Sequence, residues 1–225
     1  MIAALILLAQ GQLPAAAAGG VIDQGVLVIR ADTQEVARET FRLLERRVGE
    51  NTDGWLLDAS ARWGGARGGR PAVYSPVLEV GGDSSTLALS FGVSGGPVPL
   101  RITGRPGRRR FTLRYVSPGV ERARELPGDS ESVVIDDSVF TPYLFVAWRG
   151  GRLNAVYART ADRATLQVQD LGSQATTLNR DPVTLRHLVV TGGRDGPVHV
   201  WLGDGSRIMK VELPDRKLVA ERQPD

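Results

Sequence analysis

Apolar and polar residues alternate with a period of two along most of the chain, a pattern typical of strands that bury one face. In Arg110–Tyr115, for example, every second residue is Phe, Leu or Tyr and the residues between them are polar. The same alternation holds in Ser85–Val93, Val98–Thr103, Ala164–Gln169 and Ser206–Leu213, and further strand candidates are Gly25–Arg30, Gly54–Trp63, Val73–Val80, Val120–Leu126, Ser132–Ile135, Leu153–Thr160, Val183–Thr191, Val198–Leu202 and Lys217–Glu221. One wet face indicates an antiparallel sheet, because parallel sheets covered by helices read as continuous apolar runs.

Short glycine-rich gaps separate these strands, which favours a meander of adjacent strands. Val183–Thr191 and Val198–Leu202 flank one such gap, and Gly203-Asp204-Gly205 follows directly. We therefore expect two consecutive hairpins, the first with His187 opposite Trp201. The predicted fold is mostly β: an antiparallel, strongly curved sheet or partly open barrel, and the pattern leaves open whether the sheet closes.

Two segments have features of helices. Thr141-Pro142 precedes the apolar run Tyr143–Trp148, and two glycines follow, as expected for a threonine N-cap, Pro at the first helical position and a glycine C-cap. We expect a short buried helix here. Asp32–Gly49 carries both a helical capping-box pattern and strand alternation; the possible hairpin with Gly25–Arg30 favours a strand, and a helix remains the alternative.

The first residues read as a targeting segment. Met1–Leu13 is largely apolar and Ala15–Ala18 follows, which is the layout of a secretory signal peptide, although a cationic start is missing. We expect residues 1–18 to be the signal peptide and residues 19–225 a single antiparallel β domain, periplasmic or secreted. No later apolar run is long enough to be predicted as a transmembrane span.

The composition excludes several kinds of functional site. The 225 residues include no Cys and two His, which excludes disulfides, thiol nucleophiles and Cys-based zinc sites. Gly92-Val93-Ser94-Gly95-Gly96 matches a hydrolase pattern, but two nearby prolines oppose the helix that such an elbow needs. Asp136-Asp137 are expected to point to opposite faces and to cap a turn. We predict no catalytic residues, no metal and no cofactor, with a hydrolase as the less favoured alternative.

Basic residues are concentrated in one stretch. The net charge is +3, and the 28 basic residues are nearly all arginine. A run of arginines is compatible with an anionic surface or with a solvated strand and loop, and it comprises Arg101, Arg105, Arg108, Arg109, Arg110 and Arg114. Phe111 and Tyr115 alternate with the arginines and so lie on the other face, which argues against stacking on nucleic acid.

The segments Gly25–Arg30, Glu39–Leu43, Val134–Phe140 and Val198–Pro214 resemble uncharacterised exported bacterial β-proteins. Those families are similar to the half-barrels of periplasmic lipoprotein carriers. The resemblance implies a non-enzymatic envelope protein that binds a lipid, another apolar ligand or an envelope component. The alternative is a structural or interaction module that recruits a partner by strand addition. Candidate ligand-binding residues are Tyr143, Leu144, Trp148, His187, His199 and Trp201.

Overall fold

The computed structural model describes residues 17–48, 51–64, 70–96, 98–127 and 131–224. The predicted signal peptide therefore lies outside the described residues except for Ala17 and Ala18, whose backbone begins the first strand. The strands are β1 (Ala17–Ala31), β2 (Gln34–Val48), β3 (Asn51–Trp63), β4 (Ala72–Gly81), β5 (Thr86–Ser94), β6 (Leu100–Pro106), β7 (Arg110–Ser117), β8 (Val120–Pro127), β9 (Val133–Ile135), β10 (Gly151–Tyr157), β11 (Arg163–Leu178), β12 (Asp181–Thr191), β13 (Val198–Leu202), β14 (Ile208–Leu213) and β15 (Leu218–Arg222), and the helix is α1 (Tyr143–Arg149).

All the strands of the described residues belong to one sheet, which begins at β8 and ends at β9. Its order is β8-β7-β6-β5-β4-β3-β2-β1-β15-β14-β13-β12-β11-β10-β9. Two meanders are thus joined through β1 and β15, and every neighbouring pair is antiparallel except β9 with β10. The prediction of a mostly β, antiparallel and curved sheet with one short helix is confirmed, and the open alternative holds because β8 and β9 do not pair.

The segment for which strand and helix were both open is a strand, and both predicted hairpins form. Asp32–Gly49 contains β2, in which Ala37, Glu39, Phe41 and Leu43 are buried and the alternate residues Arg38, Thr40 and Arg42 are exposed. The hairpin of β12 and β13 also forms, with His187 opposite Trp201 as expected. The connection from β13 to β14 is a loop with a short 3-10 turn at Asp204–Ser206.

Helix α1 is enclosed by the sheet. Tyr143, Leu144 and Val146 are at most 2% exposed, and they belong to one apolar cluster with strands from both meanders. Gly150, with φ of 65°, ends the helix as predicted. The threonine cap is wrong: Pro142 holds the N-cap position, and the Thr141 hydroxyl bonds to the Glu39 side chain instead.

The sheet curls so that its two ends overlap and do not pair edge to edge. β9 lies against β5, where the Thr86 amide donates to the Ser132 carbonyl at 3.0 Å. β7 covers the region after β10, since the Tyr115 hydroxyl donates to the Ala158 carbonyl at 3.0 Å. The β9 end is therefore inside the roll, whereas β8 is left outside it.

Candidate functional site

The sheet has one buried end and one exposed end, and each is defined here by its residues. The buried end comprises β9, the turn after it and α1, which is Val133–Arg149. The free end comprises β6, β7 and β8, which is Leu100–Pro127. Both lie wholly within the described residues.

Side chains from β5 and β2 fasten the buried end. The Thr86 hydroxyl accepts a hydrogen bond from the Val134 amide at 2.9 Å. The Glu39 carboxylate, on the inner face of β2, accepts from the Phe140 amide at 2.7 Å and the Thr141 amide at 2.9 Å. Backbone groups that would otherwise be unsatisfied in the core are thus paired by side chains.

Glu39, which bonds to the buried end from β2, is a fully buried acidic side chain. It is 0% exposed, and burial raises the pKa of its carboxyl to about 7, although the hydrogen bonds from Phe140 and Thr141 oppose that rise. The Glu39 side chain is therefore protonated in part of the molecules near neutral pH.

A second polar cluster closes the turn after β9. Arg159 donates to Asp136 at 2.8 Å and also pairs with Asp137, and Asp136 accepts from the Ser138 amide at 2.9 Å. The expectation that the two aspartates point to opposite faces is therefore wrong. Asp136 and Val139 form an isolated bridge around a tight turn, and alternation of faces holds only in an extended strand.

The two aspartates have opposite pKa shifts. Burial raises the pKa of Asp136 to about 6, against the hydrogen bonds from Arg159. Burial also acts on Asp137, but the charges of Arg159, Arg194 and Arg216 outweigh it and lower the pKa of Asp137. The cluster is an ion-pair network in which each carboxylate already has cationic partners.

The free end is exposed and strongly charged. Seven of the eight residues of β8 are exposed, and the eighth, Leu126, is half-buried. On one face Glu121 bonds to Arg114 at 2.7 Å, and Glu125 bonds to Arg110. Within the described ranges the other edge of β8 has no neighbouring strand.

The candidate ligand-binding residues separate into two groups. Tyr143 and Leu144 lie in the core on α1, and Trp148 packs on Trp55 with ring centroids 5.0 Å apart and donates to the Ser206 carbonyl. These three side chains are on the inner side of the sheet.

The other group is on the outer side. His187 stacks on Trp201 with centroids 3.8 Å apart, and its Nε2 is 2.8 Å from Nδ1 of His199. Burial and the neighbouring His199 lower the pKa of His187. Because Val200 and Leu202 of the same strand face the core, the sheet separates the histidines from α1, and the six residues do not form one site.

Two clefts among the described residues lie away from α1. One, of about 550 Å³, lies at Gly107–Arg110 on the free end, and the other, of about 450 Å³, lies between the turns that follow β1 and β11. The residues that the structure describes contain no cluster of three or more acidic or histidine side chains that could hold a metal ion. Ser94 ends β5 and strand β6 follows, so the strand-to-helix elbow of a hydrolase is not formed there.

The residues that fasten the buried end were not predicted. Glu39 carried a signal, because it is a charged residue in the phase of Ala37, Phe41 and Leu43, the inner face of β2. Thr86 and Arg159 carried none, because their roles depend on how the sheet rolls.

The comparison with solved structures supports the fold. The chain is similar to the crystal structure of a β-barrel-like protein of domain of unknown function DUF1849 from Brucella abortus, with a TM-score of 0.52 and 12% identity over 92% of this chain and 98% of that chain. No protein-family model matches the chain, and no curated protein matches it. Likeness to a β protein of unknown function is thus found, whereas likeness to lipoprotein carriers stays an expectation.

Among the described residues, no helix is both long and apolar enough to cross a membrane.

Proposed function

We propose that the chain is an exported, non-enzymatic interaction module that recruits a partner protein by strand addition at β8. The observation that carries the proposal is the difference between the two ends of the sheet. β9 is buried and the Val134 amide is paired by Thr86, whereas β8 is exposed and, among the described residues, has a neighbouring strand on one side. An unpaired strand edge can add an extended segment through main-chain hydrogen bonds.

Export is supported by the apolar run and alanine cluster that begin the sequence. An apolar-ligand function stays a prediction and takes second place. The helix side chains that would border such a ligand, Tyr143 and Leu144, are instead packed against the sheet.

The test is a selection of extended peptides on the full chain, from a displayed random library. The edge-blocked variant carries Pro at whichever of Ala123 and Arg124 has its amide on the outer edge, because Pro removes that amide, whereas Pro at the adjacent position would break the pairing with β7. The matched control carries Ser at the same position, which loses the same side chain and keeps the amide.

Selected peptides should bind the serine control about tenfold more tightly than the proline variant, since one main-chain hydrogen bond is lost. Hydrogen exchange of the β8 amides should slow when peptide binds. Peptides that bind the proline variant equally well, or that protect amides elsewhere, contradict strand addition. A thermal unfolding curve of each variant verifies that the remainder of the sheet is intact.

A further inference from the structure

We infer that the segment added to β8 is acidic at alternate positions, so that the partner is an extended acidic segment of another protein. This inference rests on the proposed strand addition, and it names the chemistry of the partner.

The first observation is a concentration of positive charge. The free end carries eight Arg and two Glu, a formal charge of +6, whereas the whole chain carries +3. The remaining residues therefore carry −3. An acidic segment would be attracted to this end of the sheet and repelled from the remainder.

The second observation concerns the two faces of β8. Arg122 and Arg124 share the inner face, where the Arg122 guanidinium lies 5.0 Å from the ring centroid of Tyr115. Within the described ranges neither arginine has an ion pair, whereas both glutamates of β8 are paired on the outer face. The charge that β8 leaves uncompensated is therefore positive and confined to one face.

Strand pairing determines which positions of an added strand lie opposite Arg122 and Arg124. Residues directly opposite in an antiparallel pair share a face and have Cβ atoms about 4.5–5.5 Å apart. An added strand therefore places residues separated by one position opposite Arg122 and Arg124. Acidic residues at those positions form two cross-strand ion pairs, and basic residues there are repelled.

A second copy of this chain does not fit this pattern, because β8 reads Val120-Glu-Arg-Ala-Arg-Glu-Leu126, nearly the same in both directions. Antiparallel self-pairing centred on Ala123 places Arg122 opposite Arg124 of the second copy, and likewise Glu opposite Glu. Moving the centre to Arg122 or Arg124 places that arginine opposite itself. Like charges directly opposite are destabilising, so self-pairing is disfavoured in these registers, which are the ones that keep the inner faces of the two copies on the same side.

An anionic lipid surface is the other class of partner that positive charge could attract. A surface would engage the outer face and loop of the free end, where Arg101, Arg105 and Arg108 are exposed. Arg122 and Arg124 lie on the opposite face, on the edge strand itself, where an added strand would lie directly alongside them. The position of the uncompensated charge on the edge strand therefore favours the peptide.

The experiment measures binding of four labelled synthetic peptides, about eight residues long, to the full chain by fluorescence anisotropy at low ionic strength. Three alternate Thr with Glu, Gln or Lys, and the fourth has the composition of the Glu peptide with its glutamates in one block. The charge-reversed variant is Arg122→Glu with Arg124→Glu, and the matched control is Arg101→Glu with Arg105→Glu on the outer face.

The alternating Glu peptide should bind the chain roughly two- to thirtyfold more tightly than the Gln peptide, as expected of two opposite-charge cross-strand pairs. In the variant with Arg122→Glu and Arg124→Glu the preference should reverse toward the Lys peptide, while the outer-face control keeps the preference for Glu. This pattern supports the inference.

Other outcomes separate the two proposals. Equal binding of the Glu and Gln peptides, or of the alternating and blocked Glu peptides, overturns the acidic partner and leaves strand addition in place. Binding of none of the peptides to any variant, with the library selection also empty, overturns both. Binding of phosphatidylglycerol vesicles that is lost in the outer-face control, with no peptide bound, identifies a lipid surface instead.

Discussion

β9 and β8 are the two ends of one sheet, and among the strands that the structure describes each has a neighbour on a single side. β9 has three apolar residues, all at most 3% exposed, and its second edge is satisfied by Thr86. Four of the eight residues of β8 are charged, and among the described residues no strand lies along its second edge. The difference teaches that an open sheet can protect one edge by rolling it inward and the other by charge, and the charged edge is the one to which we propose that a partner adds.

The largest effect should come from shortening a core side chain of the buried end. Ile135→Ala should lower the free energy of unfolding by about 2–5 kcal/mol, because it leaves a cavity in packed surroundings. Val120→Ala on β8, where the side chain is 59% exposed, should change it by less than about 0.5 kcal/mol. Urea unfolding of both variants measures the contrast. Similar costs at the two positions would contradict the distinction between the ends.

A pH series sharpens the comparison through Glu39. Its pKa in the folded protein is about 7, raised above the ordinary 4.5 by burial, so the folded state binds this proton more tightly than the unfolded state. The associated stability is complete below about pH 4.5 and is lost as the pH rises through 7. The loss is on the order of 3 kcal/mol, at about 1.4 kcal/mol for each pKa unit.

Glu39→Gln removes this titration and nearly keeps the side-chain shape. The difference in unfolding free energy between Glu39→Gln and the native chain should therefore shift in favour of the variant between pH 4.5 and 7.5. Arg114→Gln on the free end serves as the control, and its difference from the native chain should stay nearly constant over that interval. Parallel profiles for Glu39→Gln and the native chain would show that Glu39 does not titrate in this range.

An intermediate effect should follow from removing the side chain that satisfies the β9 edge. Thr86→Val keeps the shape and deletes the hydroxyl, leaving the buried Val134 amide without its acceptor, at a cost of about 1–3 kcal/mol. Thr86→Ser keeps the hydroxyl and should cost less than Thr86→Val. Native-state hydrogen exchange at Val134 should accelerate only in the valine variant. If the two variants have equal stability, the hydroxyl is not what secures the edge.

The smallest effect should come from an ion pair of the free end. Arg114→Gln breaks the pair with Glu121, in which both side chains are more than half exposed. Exposed pairs contribute about 0.2–1 kcal/mol and are screened by salt. The midpoint of urea unfolding should therefore change little at low ionic strength and not at all in high salt. A larger loss would mean that β8 contributes to the stability of the whole sheet.

Alternation predicted the strands because most of them bury one face, and it placed His187 and Trp201 together correctly. It underestimated β11, whose second half is mostly exposed on both faces and is a strand because it pairs with β12. The site at the buried end depends on contacts between distant parts of the chain, such as Thr86 with Val134. Period-two patterns describe which face a residue occupies, and they carry no information on which strand lies inside the roll.

The pairing of β1 with β15 has a consequence for how the chain is made. Leu27–Ala31 of β1 pair with Leu218–Arg222, nearly at the other end of the sequence. At about 5–20 residues per second, a ribosome needs roughly 10 to 40 seconds to synthesise the intervening residues. Throughout that interval β1 can pair with β2 alone, and its second edge is open to other nascent strands. A chaperone that holds the first meander until the last strand emerges would have its greatest effect on the yield of this fold.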